Sequence, residues 1–334
     1  MSPIAAALLA LSEKIAGLTE QLGRRVKVAD LNITDRRGEL ALAPPGVRSP
    51  NGACRLVQAS DGWIAVNLAR DEDRDLIPAW LEREIAADPW ASIIRLARRR
   101  ACADLLAAAC LLGLPVARVG EAVSPTLQPP LIRMGAPAAD PRRSPVRVVD
   151  LSALWAGPMC GAILAAMGAS VVKVESLRRP DPTRTATPPF YARLNGGKAE
   201  LALDLTAPDG QARLRDEIQA ADVLITGARP RAFASLGLVP DAVFGANPSL
   251  VWVAITGYGW TGPGALRVAF GDDAAAAGGL VRWTSAGAPR FLGDALADPV
   301  TGLMAAVGAL KGLTQDGGVL VDAALARCAA GAAA

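Results

Sequence analysis

The chain has 334 residues, 51% of them hydrophobic, and its 35 basic against 32 acidic residues leave a net charge of only +3. Charges of both signs are interspersed, so neither nucleic acid nor a membrane surface is implied as a partner, and no apolar run approaches the ~20 residues that cross a bilayer. There is no histidine at all, which removes Ser-His and Cys-His nucleophile pairs and the commonest zinc sites. Chemistry therefore falls to carboxylate, lysine, tyrosine, thiolate or backbone groups, and no metal set is expected.

The length suggests roughly two domains. Residues 3 to 22 follow Ser2-Pro3, a cap and first-turn pair, and place Ile4, Leu8, Leu11, Ile15, Leu18 and Leu22 on one helical seam, for core packing or for a dimer contact. Cys54 to Ser60 and Trp63 to Leu68 flank Asp61-Gly62 as a hairpin. Asp73 to Glu84, Pro89 to Arg98 with Asp88 as cap, and Ala101 to Leu112 read as helices, and Pro115 to Val119 as a strand; Arg98-Arg99-Arg100 is a solvated helical face. This first part, 1–123, is expected to be a small α+β domain. Ser124 to Pro145 holds six prolines and no apolar period, which reads as a linker, 124–145.

From 146 to 334 strand and helix patterns alternate. Val148, Val149 and Leu151 form a buried parallel-strand run; Ala156-Gly157-Pro158 opens a helix, Gly168 stops it, and Val171 to Val174 supply the next strand. Further strands are expected near 200–204, 222–226, 250–256 and 318–322. The fold class is thus α/β: a Rossmann-like, mainly parallel sheet covered by helices, with the smaller α+β domain placed N-terminally. The first βα turn leaves free backbone N–H groups where a phosphate or carboxylate could sit, but it is not G-x-G-x-x-G. The cysteines, Cys54, Cys102, Cys110, Cys160 and Cys328, show neither C-x-x-C spacing nor a disulfide ladder and read as buried small hydrophobes. The apolar beginning lacks a basic n-region and meets Glu13 and Lys14 early, so a cytoplasmic location is expected.

Several segments, in order, resemble class III CoA transferases, the family of formyl-CoA transferase, carnitine-CoA transferase and α-methylacyl-CoA racemase. VVDLSALWAGPMCGAILAAMGASVVKVE (148 to 175) resembles its opening βαβ unit, and residues 194 to 225 its second. NPSLVWVAITGYGWTGPG (247 to 264) resembles the following strand and glycine turn, FGDDAAAAGGL (270 to 280) and ADPVTGLMAAVGAL (297 to 310) the active-site segments, and GGVLVDAAL (317 to 325) the next strand and helix. SDGWIAVNLARDEDRDLIPAWL (60 to 81) and LLGLPVARVGEA (111 to 122) resemble the smaller domain that ordinarily follows the large one. The order is therefore that of a circular permutation, which folds tolerate where termini meet at the surface.

The resemblance implies an acyl-CoA:carboxylate CoA-transferase, with acyl-CoA and a small carboxylic acid as substrates, no other bound cofactor, and a homodimer. Asp298 matches the catalytic aspartate that passes through an anhydride and an aspartyl-CoA thioester; its reference pKa of ~3.9 leaves it ionised without a histidine base. By itself, Asp298-Pro299 also reads as a plain N-cap and N1 pair, the form of Asp88-Pro89. The resemblance implies CoA contacts at Trp155, Ala156 and Gly157 and at the Gly257-Tyr258-Gly259 turn, and Arg178, Arg179 and Arg184 could meet phosphates or be a solvated loop. Gly227-Ala228 stand where the family often has Asn-Phe, Ser176 where formyl-CoA transferase has arginine, and Gly317-Gly318 begin a strand rather than the family's glycine run over the acyl group. The segment Gly271-Asp272-Asp273 has Asp where a racemase of the family carries histidine, so racemisation is disfavoured. The alternatives are a non-catalytic CoA-binding scaffold and an isomerase, racemase or lyase acting through Asp272 or Asp273.

Overall fold

Seven strands of alternating β/α chain assemble into one sheet in the computed structural model, which describes residues 2–85, 88–139 and 144–334. The strands are β1 (Cys54–Gln58), β2 (Trp63–Asn67), β3 (Val116–Arg118), β4 (Leu131–Arg133), β5 (Arg147–Leu151), β6 (Ser170–Ser176), β7 (Ala199–Leu203), β8 (Val223–Thr226), β9 (Val251–Thr256), β10 (Val281–Trp283), β11 (Pro289–Phe291) and β12 (Val319–Ala324). The large sheet runs β4-β12-β9-β8-β5-β6-β7. Every pairing from β12 to β7 is parallel, and β4 closes the far edge antiparallel to β12. β8, β9 and β12 are buried at every residue, as continuous apolar runs covered on both faces should be. Edge strand β7 alternates exposed and half-buried residues instead.

Two apolar layers cover the sheet. One joins Val148, Val223, Val251 and Val253 to the helices Ala156–Met167 and Ala297–Thr314. The other stacks Phe233, Phe244, Trp252 and Trp260 on the opposite face, with Trp252 and Trp260 edge to face at 4.9 Å. The hairpin predicted around Asp61-Gly62 forms, with Gln58 opposite Trp63 and β3 added to β2. Val57, Ile64, Trp80, Ile93 and Leu105 give this three-stranded unit its own core.

The structure departs from the sequence reading in three places. The Asp73–Glu84 helix is two short ones, Asp71–Asp75 and Ile77–Leu81, since Pro78 lacks the N–H that a continuous helix would need. The helix Pro3–Gln21 packs on Ala297–Thr314 rather than on the small unit. Its seam buries Leu11 and Ile15, each worth ~1.5–3 kcal/mol relative to exposure, against an apolar helix that offers a matching face. The 124–145 stretch carries β4, which completes the large sheet; its residues 140–143 lie outside the described ones.

Candidate active site

The helix Ala297–Thr314 begins one residue before Asp298, with Leu296 at its cap. Asp298 is therefore not the N-cap, nor Pro299 the first helical residue, as the sequence pattern suggests. The reason is the preceding turn: Ala295 adopts φ +45°, and its carbonyl accepts the Asp298 N–H at 2.9 Å. The helix is thus wound before Asp298 is reached. Its carboxyl interacts with the backbone N–H of Ala156, which opens the neighbouring helix Ala156–Met167. Gly271 makes room for it: a Cβ there would lie 2.0 Å from Asp298 Oδ2 and 2.6 Å from the Ala295 Cβ. Gly302, one turn along, lets the two helices touch, since its Cβ would meet Met159 Sδ at 2.5 Å.

Asp298 keeps a partly exposed surface, yet the atoms around its carboxyl exclude water and push it up to about 7. Arg36 pulls it back, while Asp272 and Asp294 push it further. The low reference value used for the sequence reading therefore does not hold here; the dry setting makes the group titrate near neutrality. Asp272 is desolvated to about 6, despite hydrogen bonds from Asn51 and from the Ala295 N–H at 2.7 Å. Burial drives Asp273 to about 7, although it accepts from Asn67 Nδ2 at 2.8 Å and from the Phe270 N–H at 2.9 Å. Asp273 Oδ2 and Asn67 Oδ1 are both buried and unpartnered. A proton on Asp273 Oδ2 would turn that unpartnered acceptor into a donor.

The turn before Ala156 stands on buried charges. Lys173 on β6 donates to the Ser152 carbonyl and to Asp181, the latter at 3.2 Å. Asp181 accepts the Leu154 N–H at 3.2 and 3.3 Å, steadying Leu154 at φ +70°. Lys198 reaches Asp150 at 2.7 Å and the Pro158 carbonyl at 2.8 Å. Burial alone would raise Asp150, but Lys198 and Lys173 hold it below the usual carboxylate range. Buried charges cost several kcal/mol each unless paired and hydrogen-bonded, and these are. The helix Ala156–Met167 puts Pro158 at its third position, where its missing N–H is no loss.

The predicted site residues divide. Trp155, Ala156 and Gly157 adjoin Asp298, but Trp155 is buried, bonded through Nε1 to the Ile33 carbonyl at 2.8 Å and covered by Arg36 at 5.0 Å. In the Gly257–Gly259 turn, Tyr258 is engaged by Glu121 at 3.0 Å and stacked by Arg267 at 3.6 Å, and burial lifts its phenol well above its ordinary value. Asp322 secures this turn through the Trp260 N–H at 3.0 Å. Arg178 is exposed and pairs with Asp204 at 3.4 Å; Arg184 is bound to Glu175 at 3.1 Å and Glu200 at 3.0 Å. Arg179 alone of the three enters a concavity, a cleft of about 380 Å³ shared with Arg70, Arg229 and Arg231 and walled by Leu111 and Leu266. Glu72 and Asp73 also line it, Asp73 paired with Arg70, and burial and the nearby Arg231 and Arg70 lower Arg229.

Arg36, Asn51, Asn67, Asp294 and Gly271 escape a reading of the sequence for function. Arg36 and Asn51 lie in segments with no period or motif, and their partners are 258 and 221 residues away. For Gly271 a weak signal exists: the smallest residue directly beside two carboxylates.

Residues 144–333 match the model of CoA-transferase family III. The chain is 35% identical over 182 residues to a succinate–glutarate CoA-transferase of Agrobacterium fabrum, covering 50% of this chain and 46% of that protein. It is 34% identical over 182 residues to a succinyl-CoA–D-citramalate CoA-transferase of Chloroflexus aurantiacus, covering 51% and 44%. Among solved structures, a CAIB/BAIF family protein from Brucella suis superposes with a TM-score of 0.52 at 31% identity, over 56% of this chain and 54% of that one. The chain spans about half the length of the curated relatives it matches.

Proposed function

The chain belongs to CoA-transferase family III, and from that premise we propose that it moves coenzyme A from an acyl thioester to a free carboxylic acid, with Asp298 as the nucleophile. The observation that carries this reading is the desolvated Asp298 carboxyl, given room by Gly271 and faced by the Ala156 N–H. The ionised carboxylate attacks the thioester carbonyl; the C–S bond breaks and the CoA thiolate leaves a mixed anhydride. The thiolate then attacks the aspartyl carbonyl, releasing the donor acid and leaving an aspartyl-CoA thioester. The acceptor carboxylate repeats the sequence in reverse and regenerates Asp298. Each step moves charge between carboxylate and thiolate, so no histidine is needed to shuttle a proton. Partial desolvation makes the carboxylate a stronger nucleophile than one in water, and the nearby N–H steadies the oxyanion.

The arginine cleft supports a place for the CoA phosphates, because planar guanidinium forks suit phosphate and Arg179, Arg229 and Arg231 line it together. The named relatives act on succinate, glutarate and citramalate, so small dicarboxylates are the acceptors to try first. In the same reading the chain is a cytoplasmic homodimer whose small domain precedes the large one by permutation. Five free cysteines suit a reducing compartment.

Asp298→Asn is the test. It preserves shape while removing the nucleophile, so the variant should fold, bind CoA by calorimetry, give no covalent CoA adduct by mass spectrometry, and lose transfer. Retained turnover would sink the assignment. Wild-type chain that binds CoA yet shows neither adduct nor exchange would instead be a scaffold.

A further inference from the structure

Two side chains that precede the family-matching stretch close the Asp298 corner. Arg36 grips Asp294 bidentately, Nε to Oδ2 at 2.6 Å and Nη2 to Oδ1 at 3.1 Å, and is largely buried. Asn51 donates from Nδ2 to two carboxylates, Asp272 Oδ2 at 2.7 Å and Asp294 Oδ1 at 2.6 Å. Its orientation follows from its other end: Asn51 Oδ1 accepts the Ala53 N–H at 2.9 Å, which leaves both amide protons for the carboxylates.

Those carboxylates bracket Asp298. Asp272 Oδ1 takes the Ala295 N–H at 2.7 Å, and the Ala295 carbonyl takes the Asp298 N–H at 2.9 Å, so Asn51 is linked through Asp272 to the turn that aims the nucleophile. Asp294 is joined to the same amide and opens that turn. Like charges in a dry corner suppress one another's ionisation. Arg36 is the counterweight that the N-terminal part supplies, and the Asn51 amide holds the two neighbouring carboxylates in place.

We propose that Arg36 and Asn51 are positioning residues for Asp298: by binding Asp294 and Asp272 they fix the turn before it, and the Arg36 guanidinium offsets the neighbouring negative charge, so that Asp298 can carry its own. The catalytic meaning rests on Asp298 being the nucleophile; the electrostatic claim does not. The groups bearing on Asp298 are Arg36, Asp272, Asp294 and the Ala156 N–H, with Asp272 acting in turn on Asp273. Loss of Arg36 removes the one cation among them.

The experiment is a titration of the full chain by ¹³C NMR of labelled aspartate carboxyls, the Asp298 signal being the one absent from Asp298→Asn. Arg36→Gln should raise its midpoint by about one pH unit, a roughly ten-fold loss of ionised fraction below the midpoint, and move the pH profile of transfer with it. Arg36→Lys should recover at least half of the shift. Asn51→Ala leaves the Arg36 cation in place and takes a donor from Asp272, so its Asp298 midpoint should not rise while transfer falls; Arg36→Ala serves if Arg36→Gln fails to fold. A folded Arg36→Gln or Arg36→Ala with the midpoint of wild type would overturn the proposal, even if activity fell. Transfer retained by Asp298→Asn would remove the nucleophile and leave the titration result standing.

Discussion

The Asp298 corner and the arginine cleft are opposite answers to handling charge. In the corner, Asp272, Asp273 and Asp298 are desolvated and held around 6 to 7, with Arg36 as the cation beside them. In the cleft, Arg70, Arg179, Arg229 and Arg231 share an open concavity with Glu72 and Asp73, and Asp73 pairs with Arg70. In the proposed reading the corner withholds water so that a carboxylate is reactive, and the cleft presents its other guanidinium groups to an anion. Substitutions in the first should act on chemistry and stability, and in the second on binding and its salt dependence.

The largest break is expected from Gly271→Ala. Its Cβ would lie 2.0 Å from Asp298 Oδ2 and 2.7 Å from the Ala295 carbonyl, so the carboxylate must move. Misplacement of about 1 Å costs on the order of 100-fold, and single-turnover kinetics should show kcat falling by at least that much while CoA still binds.

The next effect reads the corner through stability. Asp272, Asp273 and Asp298 are all raised above their unfolded values, so the folded state binds more protons than the unfolded chain between about pH 4 and pH 7. Their contribution is complete below the unfolded value and lost as pH rises through the folded one, so stability falls over that window. Asp273→Asn mimics the protonated acid. It should match wild type near pH 5 and exceed it near pH 8 by on the order of 1–3 kcal/mol, checked by urea titration at both pH values. An unchanged slope would mean that Asp273 is not the proton holder.

The smallest effect sharpens the contrast from the cleft side. Arg229→Ala should raise KM for acyl-CoA by roughly ten-fold with kcat little altered, as for lost uniform binding, and weaken the salt dependence of KM. Arg178→Ala is the control: its exposed pair with Asp204 is worth at most ~1 kcal/mol, and KM should stay within about two-fold of wild type. Equal changes in the two variants would remove the distinction between cleft and loop.

What could be read from the sequence follows the range over which its signals act. The β5-helix-β6 unit was legible because a buried run, good helix formers and Gly168, at φ +107°, are all local. The parallel sheet followed from alternation. Asp298 was singled out only because Asp-Pro coincided with a resemblance, and its place in the helix was misread because nothing about alanine announces the left-handed turn at Ala295. Arg36 and Asn51 were invisible for a different reason: tertiary folding alone brings them to their carboxylates. β4 was hidden among prolines that argue for a linker.

That short strand also has a consequence for how the chain behaves in a crowded solution. β12 is buried at every residue, and without Leu131–Arg133 beside it a wholly buried, mostly apolar strand would stand at the rim of the sheet with unpaired N–H and C=O groups. Such a rim is a template on which a second molecule can add. β4 takes that place and is a poor template itself: three residues long, preceded by Pro129 and Pro130 and ending on Arg133. The stretch that reads as a connector is thus also a guard against aggregation.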